Sequence, residues 1–380
     1  MLGYVLGVGK TRFGPSSHAM PRLAHEAIWA ALADSGLAIT DIKAFVVANF
    51  LGGPNESQLH LNSVVAGLFP GHRIPGWRVE AACASGGVAL HQALAMLGTY
   101  DPVLVVGVER LSGPPGGVLT HNIGMAGDVG LDQAAGLTFP ASYALVAQRH
   151  MERYGTTTAD FDAVSLKNHH NARMNPLAHF HHKTVTQADI DAGPTVAAPL
   201  RLFDCCPVSD GAAAAVISAC PRGVRSIAVL GSAVSTDVIS LAQRAEHTTF
   251  PAASDAAAEA YRQAGVGPGE VDMAEVHDCF TIAELVAIED LGLAKPGEAA
   301  ALTQSGATAL GGSIPVNASG GLKAGGHAIG ATGVGQVYEL VRQLRGEAGE
   351  RQVASPRIGV SHNVGGVGGT CAVHILGRRS

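Results

Sequence analysis

Charge and aromatic rings are scarce in this 380-residue sequence: Asp, Glu, Lys and Arg supply 15% of it, and Phe, Trp and Tyr 5%. Ordinary soluble domains carry about 25% charged residues. Low charge beside 47% hydrophobic residues excludes a disordered chain, which has the opposite balance. A basic excess is missing as well, since 25 Lys and Arg face 31 Asp and Glu, a formal charge of −6. Nucleic acid and anionic membranes select a basic face, so neither is an expected partner. No apolar run approaches the ~20 residues of a membrane-spanning helix. The start, Met1 to Lys10, lacks a basic leader region and reads as a strand. The end, Gly377-Arg-Arg-Ser380, lacks a peroxisomal Ser-Lys-Leu, so the cytoplasm is the expected location. The six cysteines contain no Cys-x-x-Cys pair. That excludes a zinc ribbon or dithiol redox motif and leaves free thiols as the expectation.

Glycine, by contrast, is abundant: 49 of 380 residues, nearly twice the usual ~7%, with no collagen period. Tight turns and close backbone approaches follow. Strands and helices alternate. Val46–Ala48, Val103–Val108 and Ala212–Ala219 are short continuous apolar runs of the kind a covered parallel sheet uses. Residues 21–36 and 253–264 show helical apolar spacing and end in Gly. A strand at Trp77–Ala82 feeds an apolar helix running to Leu97, and a strand at Val271–Val276 feeds a helix ending at Leu291. Further strands are expected over 227–232, 358–361 and 370–376, and a helix over 326–346. From about Ser112 to Pro207 the alternation weakens around helices near 141–153 and 159–173, as in an excursion from the core. The element order repeats in two halves, and Ala-Ser-Gly-Gly occurs at both 84–87 and 318–321. The pattern argues an α/β fold.

Two motifs fail. Gly7-Val-Gly-Lys-Thr11 resembles a phosphate loop, but the required Gly five residues before Gly9 is Tyr4. His169, His170, His179, His181 and His182 admit a zinc site or a polar, substrate-facing loop. The loop is favoured, because no carboxylate or Cys sits among the five and their spacing is irregular.

Three other places carry chemistry. Cys83 follows a strand and opens an apolar helix among small residues. The positive end of a helix lowers a thiol's pKa, and its N–H groups can hold an oxyanion. A small buried core Cys is the alternative on this context alone. His277-Asp-Cys-Phe280 offers an imidazole and a thiol just past a strand's carboxyl end, where α/β sheets bind ligands. His327 lies in a glycine-dense run, Gly320 to Gly333, and His362-Asn-Val-Gly-Gly reads as a third glycine-rich turn. Together these suggest a thiolate that takes an acyl group, a His that accepts its proton, and a second acid/base.

On these residues the chain resembles the thiolases over nearly its whole length. Ala-Cys83-Ala-Ser-Gly-Gly resembles the nucleophile loop. Gly-Gly-His327-Ala-Ile-Gly resembles the family's Gly-His-Pro motif, with Ala328 in place of Pro. His277-Asp-Cys-Phe, Pro207-Val-Ser-Asp-Gly and Asn175-Pro are similar to the sterol-carrier-protein-type subgroup. The usual C-terminal catalytic Cys is replaced near His362, and in that subgroup the Cys of His-Asp-Cys-Phe, here Cys279, supplies the missing thiol.

The resemblance implies two βαβαβαββ halves, residues 1–225 and 226–380, in a five-layer αβαβα core, with a loop domain at about 112–207. It implies that Cys83 attacks an acyl-CoA or 3-ketoacyl-CoA with His327 as base. Cys279 moves the substrate's α-proton, and His277 and His327 hold the enolate oxygen. The acyl oxyanion would rest on the N–H of Cys83 and one near Val364. Coenzyme A is then a substrate, and no metal or permanent cofactor is needed. A homodimer or homotetramer is implied, with a small OB-fold/zinc-ribbon protein as a further partner. Two alternatives stand beside this reading: a retro-aldolase or specialised C-acyltransferase on a bulky CoA thioester, and a non-catalytic acyl-CoA-binding subunit.

Overall fold

A computed structural model describes residues 2–378; Met1, where the first strand was expected to begin, and Arg379 and Ser380 of the C-terminal tetrapeptide lie outside the described residues. Eleven strands are formed: β1 Gly3–Lys10, β2 Ala44–Ala48, β3 Gly76–Val79, β4 Val103–Glu109, β5 Thr195–Ala197, β6 Leu200–Arg201, β7 Gly211–Ser218, β8 Ile227–Thr236, β9 Met273–Glu275, β10 Ile358–Gly365 and β11 Thr370–Gly377. Nine of them make one sheet in the order β3-β2-β4-β7-β1-β8-β11-β10-β9, and β5 pairs only with β6. Every residue of β2, β4 and β7 is buried, which is why their sequences are continuous apolar runs rather than alternating ones.

The sheet is a duplication. In the first half β2 lies parallel to β3 and β4, and β7 runs antiparallel to both β4 and β1. In the second, β9 lies parallel to β10, and β11 runs antiparallel to both β10 and β8. The counterpart of β3 is a single parallel bridge, Val316 to Ala274. Ala-Ser-Gly-Gly follows this third position in both halves, so the repeated tetrapeptide marks equivalent places. The halves join edge to edge where Gly3, Tyr4 and Val5 pair with Val229, Ala228 and Ile227.

Helices cover both faces. Met20–Ser35 packs Leu23, Ala27, Ile28 and Ala31 on the outer face of the first half-sheet, and Pro251–Ala264 does the same for the second. Helices Ser85–Met96 and Thr332–Leu344 lie between the half-sheets, in one core drawn from strands of both. The layers therefore read αβαβα, as the resemblance implies. The central helices touch at their N-terminal turns, where Gly86 faces Gly333 and Gly87 faces Asn363. Residues 110–210, between β4 and β7, form an excursion whose Tyr143, Val146, Phe161 and Val164 share a core with Ile282, Val286 and Val373 of the second half.

Two expectations need correction. The helix expected over 326–346 starts later, at Thr332–Leu344, after a short 3-10 turn at Ile329–Ala331, and a separate short helix, Gly321–Gly325, precedes it. Gly326, at φ 105° and ψ 150°, leaves the first helix in a conformation open to glycine, and His327 follows on extended chain. The strand expected over 358–361 continues to Gly365, so His362, Asn363 and Val364 are strand residues and the turn is Gly366–Gly369.

The crossing yields a prediction. A Cβ at Gly333 would stand 2.2 Å from the Gly87 nitrogen and 2.3 Å from Asn363 Oδ1, both held in place. Gly333→Ala is expected to lower unfolding free energy by about 3 kcal/mol, as overpacking does, read from urea denaturation. An unchanged midpoint would contradict the crossing.

Candidate active site

The turn after β3 carries Cys83. Ala82 holds φ 49°, a left-handed conformation unusual for alanine. Ser85 fixes it: its hydroxyl donates to the Ala82 carbonyl at 2.6 Å and accepts from the Ala81 N–H at 2.9 Å. The strain presents the Cys83 thiol at the mouth of the central helix rather than inside the core.

His327 meets it from the second half, with Nε2 3.4 Å from Cys83 Sγ. Its other nitrogen, Nδ1, lies 2.8 Å from Thr332 Oγ1, whose proton is committed to the Ala328 carbonyl at 3.1 Å. Thr332 can therefore only accept from Nδ1–H. The Nε2 lone pair is left facing the thiol, the tautomer a base requires.

His277 ends the β9 segment. Asn363 Nδ2 reaches its Nδ1 at 3.3 Å and the Cys83 carbonyl at 2.9 Å, while Asn363 Oδ1 accepts the Gly87 N–H at 3.0 Å. With Nδ1 accepting, the proton of neutral His277 sits on Nε2, which is buried and has no partner among the described residues. Cys83, His277 and His327 each offer a ligand atom within 4.8 Å of the others. Cys279, Cys83 and His327 line a cavity of about 360 Å3 whose other walls include Phe50, Leu111, Ile123, Phe139 and Ile329; His277 stands just behind the wall. Cys279 is in hydrogen-bond contact with the Tyr143 hydroxyl, which donates to the Gly366 carbonyl at 3.1 Å.

Burial governs the electrostatics. It pushes the Cys83 thiol up to about 12, against the lowering effect of an N–H from Gly366, and buried Glu109 adds to the rise. The helix N-terminus expected to lower this pKa is outweighed. Burial pulls His327 down to about 3 and His362 to about 4. It takes His277 well below the usual histidine range, helped by His327 and His362, and Cys279 well above the thiol range. The resting pair is a neutral thiol beside a neutral imidazole.

The N–H aimed at Cys83 is that of Gly366, two residues past Val364 in the turn that follows β10. Val364 pairs with Cys371 in the β10–β11 ladder, and its side chain joins the core. His362 does not line the cavity; its Nδ1 accepts the His277 backbone N–H at 3.4 Å. The five histidines of the His-rich stretch do not gather around a metal. His169 contacts the buried Lys323 ammonium at 3.2 Å, and His179 bonds Ser209 at 2.9 Å and takes its backbone N–H to the Gly325 carbonyl. With Asn175 on the Ser319 carbonyl, this stretch clamps the loop that carries His327. Asp278 clamps it from the other side, accepting the Leu322 and Lys323 N–H groups. Sequence reasoning missed Asp278, Thr332, Asn363, Gly366 and Tyr143. Asp278 in His277-Asp-Cys-Phe280, Thr332 in the Gly320–Gly333 run, and Asn363 and Gly366 in the run after His362 carried a signal that could have been read; Tyr143 carried none. All six cysteines are free, and no described helix is long and apolar enough to cross a membrane.

Comparison with known proteins identifies the family. The model of the thiolase N-terminal domain matches residues 4–220, and that of the thiolase C-terminal domain-like family matches 232–378. An acetyl-CoA acetyltransferase of Methanothermobacter thermautotrophicus is 43% identical over 98% of this chain and 99% of its own. Human sterol carrier protein 2 is 32% identical over 97% of this chain and 71% of its own. Among solved structures, the Ltp2–ChsH2(DUF35) aldolase superposes with a TM-score of 0.84 at 27% identity, over 99% of this chain and 97% of that one. The chain belongs to the thiolase family. Within it, the chain is an acyltransferase of the thiolase type.

The neutral pair predicts a pH profile. Histidine is lowered and the thiol raised, so neither group changes charge between the usual histidine value of 6.5 and about 12. Alkylation of Cys83 by iodoacetamide should rise smoothly with pH and show no step in that interval. A plateau beginning near neutral pH would reveal a thiolate–imidazolium pair instead.

Proposed function

We propose that the chain catalyses reversible acyl transfer between CoA thioesters, with acetyl-CoA as one partner, through an acyl-Cys83 intermediate. The observation that carries this reading is the Cys83–His327 contact of 3.4 Å with the base's tautomer fixed by Thr332. In thiolysis the Cys83 sulfur attacks the 3-keto carbon as its proton passes to His327 Nε2. The N–H groups of Cys83 and Gly366 receive the developing oxyanion. The bond to the α-carbon then breaks. Cys279 protonates the departing acetyl-CoA enolate, whose oxygen lies against the Nε2–H of His277 and the protonated His327. Coenzyme A next gives its proton to the Cys279 thiolate and attacks the acyl-thioester; the Cys83 sulfur leaves and takes back its proton from His327, which restores the resting pair. Claisen condensation is the same path reversed. Coenzyme A is a substrate, and every proton has a protein group to carry it.

The division into halves 1–225 and 226–380, with residues 112–207 as loop domain, is part of the proposal; the repeated strand order supports it. So are a cytoplasmic site of action in acyl-lipid metabolism and a homo-oligomer, the latter supported by the low content of charged residues and by edge strand β3 with half-exposed Trp77. A second reading, C–C cleavage by an aldolase working with a small partner, is favoured only by the name of the structural neighbour. The thiol–imidazole pair supports acyl transfer over it.

Intact-protein mass spectrometry with acetyl-CoA and acetoacetyl-CoA tests the reading. The wild-type chain should gain an acetyl group that Cys83→Ala lacks. Cys279→Ala should keep the adduct yet lose at least about 10³-fold in turnover, as removing one member of a catalytic unit does. Normal turnover in Cys279→Ala would overturn its role, and an unmodified wild-type chain would overturn the intermediate.

A further inference from the structure

Sγ of Cys83 and a ring nitrogen from each of His277 and His327 lie within 4.8 Å of one another, the one such set among the described residues. One thiol and two neutral imidazoles are the donors that borderline-soft Zn2+ prefers. Zinc takes sulfur at ~2.3 Å and nitrogen at ~2.0–2.1 Å, so neighbouring ligand atoms in its tetrahedron stand about 3.4–3.6 Å apart. The Cys83–His327 pair already stands at 3.4 Å. The remaining edges close with shifts of about 1 Å, which staggered side-chain motions supply. A second observation points to a ligand: Nε2 of His277 is buried and unpartnered, on a residue 1% exposed. The contact to His327 orients it for a metal, whereas His277 must move its proton from Nε2 to Nδ1 and give up the Asn363 contact of 3.3 Å. Thr332 and Asn363 engage the Nδ1 atoms of His327 and His277. The cavity reaches Cys83 and His327 from solvent and leaves a fourth position for water.

We propose that this cradle binds one Zn2+ reversibly, through Cys83, His277 and His327, and that zinc and acyl transfer exclude each other. Binding forms the Zn–S bond and releases the Cys83 thiol proton to solvent, while the His277 proton moves from Nε2 to Nδ1 to free the lone pair for the ion; no electron is transferred. The occupied site has a blocked sulfur and a blocked base, so the ion is an inhibitor and not a cofactor. This second clause rests on the acyl-Cys83 reading, whereas the binding itself rests on the geometry alone.

Co2+ is the probe, because its thiolate and imidazole complexes absorb visibly where zinc is silent. Titrating the full chain should give thiolate-to-cobalt charge-transfer and tetrahedral d–d bands that saturate at one equivalent and vanish on adding Zn2+. Cys83→Ser should abolish the charge-transfer band, and His277→Ala should weaken cobalt binding at least tenfold. His170→Ala and His182→Ala, on exposed histidines of the His-rich stretch, should change nothing. Should Cys83→Ser fail to fold, wild-type chain alkylated at Cys83 serves in its place and should likewise lose the band. In parallel, Zn2+ at saturation should stop both acetyl-adduct formation and iodoacetamide alkylation at Cys83. No charge-transfer band, or a band that survives loss of the Cys83 thiol, overturns the site. A chain that binds cobalt through Cys83 but is never acylated refutes the catalytic reading and leaves the metal site standing. A chain that is acylated without the cobalt band refutes only the metal site.

Discussion

The contact between Gly86 and Gly333, where the two central helices meet, is the constraint on which the rest depends. Each helix begins a half-repeat's catalytic loop: Cys83 precedes Ser85–Met96 and His327 precedes Thr332–Leu344. Any side chain at the crossing would drive the backbones apart by more than the sulfur–nitrogen distance can absorb. With hydrogen there instead, the two N-terminal turns close, and a thiol and an imidazole 244 positions apart in sequence come within 3.4 Å. Duplication supplies the two helices, and the glycines supply their proximity.

That closeness has an electrostatic cost. The site is walled by apolar residues, and burial favours the neutral form of every titratable group in it. The chain answers with geometry rather than charge. Thr332 and Asn363 select tautomers, Ser85 holds a strained Ala82, and Gly366 aims an N–H at sulfur. The buried carboxylates are tolerated because they are engaged: Glu109 accepts from Phe50, Leu51, Gly330 and the Asn49 amide, and Glu284 accepts from Asn168 and Asn317 beside the Lys167 ammonium. In the proposed mechanism Cys83 is neutral at rest, and becomes a thiolate only as its proton leaves for His327. The Nε2 of His277 is buried without a partner among the described residues, and the proposed mechanism sets the enolate oxygen against it.

Much of this was legible in the sequence because it rests on local pattern. Continuous apolar runs located β2, β4 and β7, helical spacing located the outer helices, and the residues around Cys83 and His277 placed both at strand ends. What escaped was non-local or depended on glycine geometry. A helix was expected to begin at 326, after a glycine-rich turn, yet the regular helix starts only at Thr332, and the positive φ of Gly326 leaves His327 on extended chain before it. Val364 looked like a turn residue until its pairing with Cys371 placed it in a ladder. Tyr143 is an ordinary residue in its own segment and gains meaning only from what folds against it. The helix-end argument for an acidic Cys83 omitted desolvation, which exceeds it.

The account's central claim is that two half-repeats assemble one acyl-transfer centre at this crossing. A crystal structure of the chain trapped with an acyl-CoA tests it most directly. The account predicts an acyl group on Cys83 Sγ, its carbonyl oxygen accepting the N–H groups of Cys83 and Gly366, with His327 Nε2 beside it. An acyl group on Cys279, or a carbonyl turned away from both N–H groups, would contradict it.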